Sequence, residues 1–136
     1  MNTSRLLFMA DDDVDDIFIF RMALSEVDPS VKLITAQDGV EAMIKLRHPL
    51  ASVPDFIFLD LNMPRKSGKE CIEEIRKEIR LKDIPIIIYS TTSSDLERKE
   101  TLQLGATAFM TKFYRLKDLC HALQKLLNNY SLAVSY

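Results

Sequence analysis

The residues able to do chemistry stand at the ends of short apolar runs. Asp11-Asp12-Asp13 follows Leu6 to Ala10 (LLFMA), and Asp60 follows Phe56 to Leu59 (FIFL). Ser90, Thr91 and Thr92 follow Ile84 to Tyr89 (IPIIIY), and Lys112 follows Ala106 to Thr111 (ATAFMT). Gln37-Asp38-Gly39 follows Val31 to Ala36 (VKLITA). In an open parallel sheet the carboxyl ends of the strands share one edge. Carboxylates from the first and third strands, a hydroxyl from the fourth and an amine from the fifth then converge there. Crowded carboxylates repel and raise one another's pKa unless a cation intervenes. Oxygen-only ligands of this kind suit Mg²⁺, which takes one or two carboxylates, water and phosphate oxygens. A metal, a carboxylate, a hydroxyl and an ammonium are a set of parts for phosphoryl transfer. One carboxylate would be the nucleophile and would become an aspartyl phosphate. The plainer reading is that acidic runs at helix starts answer the helix dipole, and Asp13, Asp15 and Asp16 are read that way. A lone lysine after a strand is ordinarily a solvated charge. Convergence of all four features on one sheet edge weighs against that reading for the set.

The elements that must position these residues are legible in the pattern. Nearly continuous apolar runs suit strands covered on both faces. Between them, Ile17, Phe20, Leu24 and Val27 form one helical stripe, and Ile72, Ile75 and Ile79 a second. Leu116, Leu119, Cys120, Leu123 and Leu127 form a third, opposite Lys117, His121, Gln124 and Lys125. Asp38-x-x-Glu41, Ser67-x-x-Glu70 and Ser94-x-x-Glu97 resemble capping boxes, and Gly105 stands where a helix would end. The stretch His48 to Pro54 reads as a loop before the third strand. Five strands alternating with five helices predict an α/β fold, a doubly wound sandwich in which right-handed crossovers place helices on both faces of a five-stranded parallel sheet.

The chain has 136 residues, 47% apolar and 28% charged, which suits one domain with a sizeable core. The expected domain spans 1–136, with its core at about 6–127 and a tail at 129–136. A net charge of −2 argues against a nucleic-acid module. Cys71 and Cys120 read as reduced thiols of a cytoplasmic protein. Met1 to Arg5 lacks the pattern of a signal peptide, and no apolar run reaches the roughly 20 residues that span a bilayer.

MADDDVDD, FIFLDLNMP, IIIYSTTS and GATAFMTK resemble the acidic, phosphoacceptor, hydroxyl and lysine motifs of the response regulator receiver domain, the CheY-like family. The resemblance runs from about Leu6 to Leu127, and a glycine four residues after the proline of DLNMP, Gly68, belongs to it. Within the family the chain is most similar to stand-alone receivers of the phytochrome-associated kind. The resemblance implies a flavodoxin-like (βα)₅ fold. It implies Asp60 as phosphoacceptor and Mg²⁺ held by Asp11, Asp12, Asp60 and the backbone carbonyl of Asn62. Ser90 would be the switch hydroxyl, Lys112 the lysine that pairs with the phosphoryl group, and Phe109 the aromatic switch. It implies a sensor histidine kinase or histidine phosphotransfer protein as phosphoryl donor, and slow self-directed chemistry in place of enzymatic turnover.

The family usually has proline after the lysine, often across a cis bond; here Phe113 follows Lys112. A non-proline cis bond costs about 2.5–4 kcal/mol, so a trans loop is expected, with the aim of Lys112 and the partner surface beside it altered. Asn62 and Thr92 are expected to border the site and tune the phosphoryl lifetime, and Met63 to pack in the loop. The helix from Ser94 to Leu104 has only Leu96, Leu102 and Leu104 as large apolar groups, so it is expected to shift readily. In the family this helix, the fifth strand and the last helix form the output face. The chain leaves no length for a DNA-binding output, so output is expected through a protein partner or a homodimer built on the last helix and Leu132, Ala133, Val134 and Tyr136. Two rivals remain: a degenerate receiver that binds without phosphate, and a small Mg²⁺-dependent phosphohydrolase.

Overall fold

The computed structural model describes residues 5–92 and 94–134. Five strands, β1 (Leu6–Ala10), β2 (Lys32–Ala36), β3 (Phe56–Leu59), β4 (Ile86–Ser90) and β5 (Ala108–Thr111), alternate with five helices. The helices are α1 (Val14–Val27), α2 (Gly39–Arg47), α3 (Gly68–Lys77), α4 (Asp95–Leu104) and α5 (Leu116–Val134). All strand pairs are parallel, in the order β2-β1-β3-β4-β5. This is the doubly wound sandwich that the alternation predicts. The chain reverses direction across the sheet between β1 and β3, the place where such sheets build their sites.

Each strand follows its composition. β1, β3 and β4 are buried on both faces and carry the longest apolar runs. β2 and β5, at the edges, are only partly covered. One core, centred on Phe8, Ile57, Leu59, Ile72, Ile75, Ile86 and Ile88, lies under α2 and α3. The other, centred on Leu7, Phe20, Phe58, Tyr89, Leu119 and Leu123, lies under α1 and α5, which pack together. Phe20 meets Phe58 edge-on at 4.9 Å between ring centroids.

The caps form as their residue types dictate. Ser67 closes a full capping box with Glu70, while Asp38 and Ser94 accept from the N–H groups of Glu41 and Glu97. Glu41 reaches past the cap to the Gln37 N–H instead of closing its own box. Gly105 ends α4 at φ 122, a conformation suited to glycine.

Four expectations are corrected. Ile79 is 86% exposed, because α3 ends at Lys77 and the stripe stops at Ile75. β4 begins at Ile86, after Pro85, whose nitrogen has no hydrogen to donate to the ladder. β5 begins only at Ala108. The segment expected as a tail continues α5 to Val134. The side chains of residues 130–136, which include Leu132, Ala133, Val134 and Tyr136 of the expected homodimer surface, lie outside the described residues. The loop before β3 forms as expected, and Arg80 holds it through the carbonyls of His48 and Ala51 at 3.4 and 2.8 Å. No helix among the described residues is long and apolar enough to cross a membrane.

Candidate functional site

The strand ladders run one residue beyond β1, β3 and β5, and this places the site. The Asp11 N–H donates to the Ala36 carbonyl at 3.0 Å, and the Asp60 N–H to that of Ala10, also at 3.0 Å. The Lys112 N–H donates to the Ser90 carbonyl at 2.8 Å. Three chemistry-bearing residues therefore have backbones locked to neighbouring strands at one level of the sheet, where only side-chain torsions are free.

One ligand oxygen each from Asp11, Asp12 and Asp60 can lie within 4.8 Å of the others. Asp11 is fully buried, Asp60 is 9% exposed and Asp12 faces solvent. Lys112 Nζ stands among them, 2.7 Å from Asp11 Oδ2 and 3.5 Å from Asp60 Oδ2. The Leu61 N–H donates to Asp60 Oδ1 at 2.8 Å, and the Asp13 N–H donates to Asp11 Oδ1 at 2.9 Å. Each buried carboxylate thus has one oxygen fixed by backbone and the other turned toward the lysine. The Tyr89 ring lies 5.9 Å from Lys112 Nζ.

Burial is the largest influence on Asp11 and pushes it up to about 6; the Asp60 charge adds to this, against the pull of Lys112 and the Asp13 N–H. Burial alone would lower Lys112, but its hydrogen bonds with Asp11 and Asp16 and the charge of Asp60 hold it above its ordinary value. For Asp11 the folded pKa exceeds the unfolded one, so the native protein binds the extra proton between about pH 4 and 6. Its contribution to stability is present below that window and is lost as pH rises through about 6. With chelator present, the urea midpoint of the protein should therefore fall from pH 5 to pH 7.5 relative to an Asp11→Asn variant, which should lack that slope.

All donors are oxygens, the exposed Asp12 leaves one side open to water and substrate, and Lys112 is the one cation set against Asp11 and Asp60 among the described residues. These features fit Mg²⁺. The Ser90 hydroxyl is 1% exposed and has no hydrogen-bond partner among the described residues. A buried hydroxyl without a partner at a carboxylate edge suits an incoming anion.

Asn62 is exposed in the loop after β3, and Thr92 is half-buried after β4. Met63 is buried, as expected of loop packing. Phe109 packs against the core under α2 and α3, with the Arg98 guanidinium 4.7 Å from its ring centroid. No peptide bond among the described residues is cis, so the Lys112–Phe113 bond is trans as expected, and Lys112 still reaches the carboxylates. Cys71 and Cys120 are free, and burial pushes the Cys71 thiol up to about 12.

One residue of the site escapes the sequence pattern. Asp16, read as a helix-start charge, lies 2.7 Å from Lys112 Nζ through Oδ2. The true cap is Asp13, whose Oδ1 accepts from the N–H groups of Asp15 and Asp16 at 2.9 and 3.2 Å. A usable signal was present, since the first turn of α1 rises from the same edge as β1 and a carboxylate there stands over the site.

A parallel (βα)₅ sheet with an acidic cluster and a lysine at its carboxyl edge is the frame of a receiver. The chain belongs to the response regulator receiver domain family, which matches residues 7–124, and is a receiver of the two-component response regulators. It is 28% identical to response regulator Rcp1 of Synechocystis sp. over 90% of this chain and 86% of that protein. The phosphorylated cyanobacterial phytochrome response regulator RcpA superposes with a TM-score of 0.83, at 30% identity, over 91% of each chain. The Mn²⁺-bound form of Rcp1 gives 0.79, at 28% identity, over 90% of this chain and 91% of that one. The chain spans about half the length of several longer curated relatives.

Proposed function

We propose that the chain is a stand-alone receiver, one domain over 1–136, that accepts a phosphoryl group on Asp60 from a sensor histidine kinase or histidine phosphotransfer protein and thereby changes its affinity for a partner. One observation carries this reading. Asp60 stands in the three-aspartate cluster beside Lys112 Nζ and, unlike the fully buried Asp11, keeps some exposure to an incoming donor. Similarity to RcpA and Rcp1 over most of each chain supports the stand-alone form.

In the proposed step an Asp60 oxygen attacks the phosphorus of a phosphohistidine. The P–N bond breaks, and the imidazole leaves with its electron pair and takes a proton. Asp11, Asp12, Asp60 and the Asn62 carbonyl would hold Mg²⁺, which supplies charge neutralisation for the phosphoryl oxygens. Lys112 would pair with the same oxygens. Ser90 would turn its hydroxyl onto the phosphoryl group, and Phe109 would follow and leave the Arg98 guanidinium. α4 buries only Thr101 fully; beyond that Leu104 packs against the core, Arg98 contacts Phe109, and Lys69 pairs with Glu97 and Glu100 at 3.3 and 3.0 Å, so displacement of α4 disturbs little core. The protein would work in the cytoplasm as a signalling acceptor and not as a turnover enzyme.

The test is intact mass after incubation with Mg²⁺ and a small acyl-phosphate donor, beside Asp60→Asn. The native protein should gain one phosphoryl group and the variant none. A folded native protein that gains nothing would mark it as a receiver that binds without phosphate. Steady release of phosphate from phosphomonoesters would favour a phosphohydrolase instead.

A further inference from the structure

Lys112 has two carboxylate partners at the same distance, and only one belongs to the sheet edge. Asp11 Oδ2 and Asp16 Oδ2 each lie 2.7 Å from its Nζ, whereas Asp60 Oδ2 lies at 3.5 Å. Asp16 is carried on the first turn of α1, and its side chain is 29% exposed against 11% for that of Lys112. The lysine is thus shared between the acidic cluster and a helix that contributes no other carboxylate to it.

We infer that Asp16 is a positioning residue that holds Lys112 in the unphosphorylated protein and must yield it when an anion arrives on Asp60. The inference rests on the proposed role of Asp60 and concerns control of that site. Two effects of opposite sign follow. While Asp16 engages the ammonium, Asp11 and Asp60 feel less of that charge and keep more of their own for a divalent cation. A phosphoryl group must then draw the same ammonium away from Asp16, so Asp16 opposes the anion. The contact is a charge-assisted hydrogen bond held partly out of water, hence stronger than an exposed ion pair. Asp15 provides an internal control. It is the neighbouring first-turn carboxylate, it is exposed, and its charge acts on the site only through space.

The test compares native protein, Asp16→Asn and Asp15→Asn in two titrations: Mg²⁺ alone, and beryllium trifluoride at saturating Mg²⁺. Beryllium trifluoride is an anion that becomes tetrahedral when a carboxylate oxygen coordinates it, and so mimics a phosphoryl group there. Asp16→Asn should bind Mg²⁺ about two- to five-fold more weakly and the fluoride complex more tightly by a similar factor, as expected for loss of a partly exposed charge pair. Asp15→Asn should change each by clearly less. Weakening of both ligands in Asp16→Asn would mean plain structural damage and would overturn the inference. Equal gains in both variants would mean a field effect without the contact, and would overturn it too. If the native protein itself takes up no fluoride complex while binding Mg²⁺, the role of Asp60 fails and the inference fails with it. An adverse result confined to Asp16→Asn leaves the role of Asp60 standing.

Discussion

Lys112→Met should lower the stability of the metal-free protein by about 2–3 kcal/mol at pH 7.5, and Mg²⁺ should return most of that loss. The lysine is the one cation within 4 Å of Asp11 and Asp60 among the described residues, and both carboxylates are almost wholly out of water. Removing one partner of a buried pair costs about 3–5 kcal/mol when the other charge is stranded. The expected loss is smaller because Asp11, already pushed up to about 6 by burial, can take a proton instead. A divalent cation replaces the missing positive charge, so the variant should depend on metal far more than the native protein does. Urea melts followed by circular dichroism, with chelator and with Mg²⁺, give the comparison. Equal losses in both conditions would mean that Lys112 matters for packing and not for charge. Phosphoryl uptake by the variant, read as intact mass, should slow by about tenfold or more, since a fixed cation at the transferring oxygens is removed.

Gly68→Ala should cost about 2–3 kcal/mol and should also impair Asp60, although residue 68 carries no chemistry. A Cβ there would lie 2.4 Å from the Asp60 carbonyl oxygen and 2.9 Å from the Leu61 Cα. Both are backbone atoms, so no flexible side chain can give way. The Gly68 N–H also donates to the Leu61 carbonyl at 2.8 Å, which draws the start of α3 against the end of β3. The opposite side of this loop is equally tight, for a Cβ at Gly39 would come within 2.1 Å of the Lys66 carbonyl oxygen. Between these contacts Arg65 adopts φ 69, and its guanidinium meets Asp38 at 3.2 Å. The loop has no room to absorb a shift, so the displacement should pass to Asp60. Reduced Mg²⁺ affinity and slower phosphoryl uptake by the folded fraction would follow. A variant that is less stable but takes up phosphoryl at the native rate would show that the strain is relieved in α3 instead.

Much of this molecule was legible in its residues. Runs such as FIFL and IIIYS are too apolar for anything but covered strands, and β3 was placed to the residue. Asp38, Ser67 and Ser94 announced their helices because few side chains can accept from free first-turn N–H groups. The rule that parallel strands present their carboxyl ends together is enough to gather Asp11, Asp12, Asp60 and Lys112 from the sequence alone. Ile79 shows the limit of periodicity: it keeps the spacing of Ile72 and Ile75, but the helix ends before it and leaves it in water. The step from Ile84 to Ile86 at the start of β4 has a similar cause, since Pro85 cannot donate to the ladder.

The sequence by itself determined the alternation of strands and helices, and with it which side chains share the reactive edge. Both follow from local rules, namely hydrophobic period, caps and the handedness of crossovers. Only the tertiary structure decided how Lys112 divides itself among Asp11, Asp16 and Asp60, and that it reaches them across a trans bond to Phe113. It also decided that Phe109 rests under the Arg98 guanidinium and that a Cβ at residue 68 would strike the backbone of Asp60. These are distances of a few ångströms between groups far apart in the chain. They depend on register, burial and side-chain torsion together, and no period along the sequence encodes them.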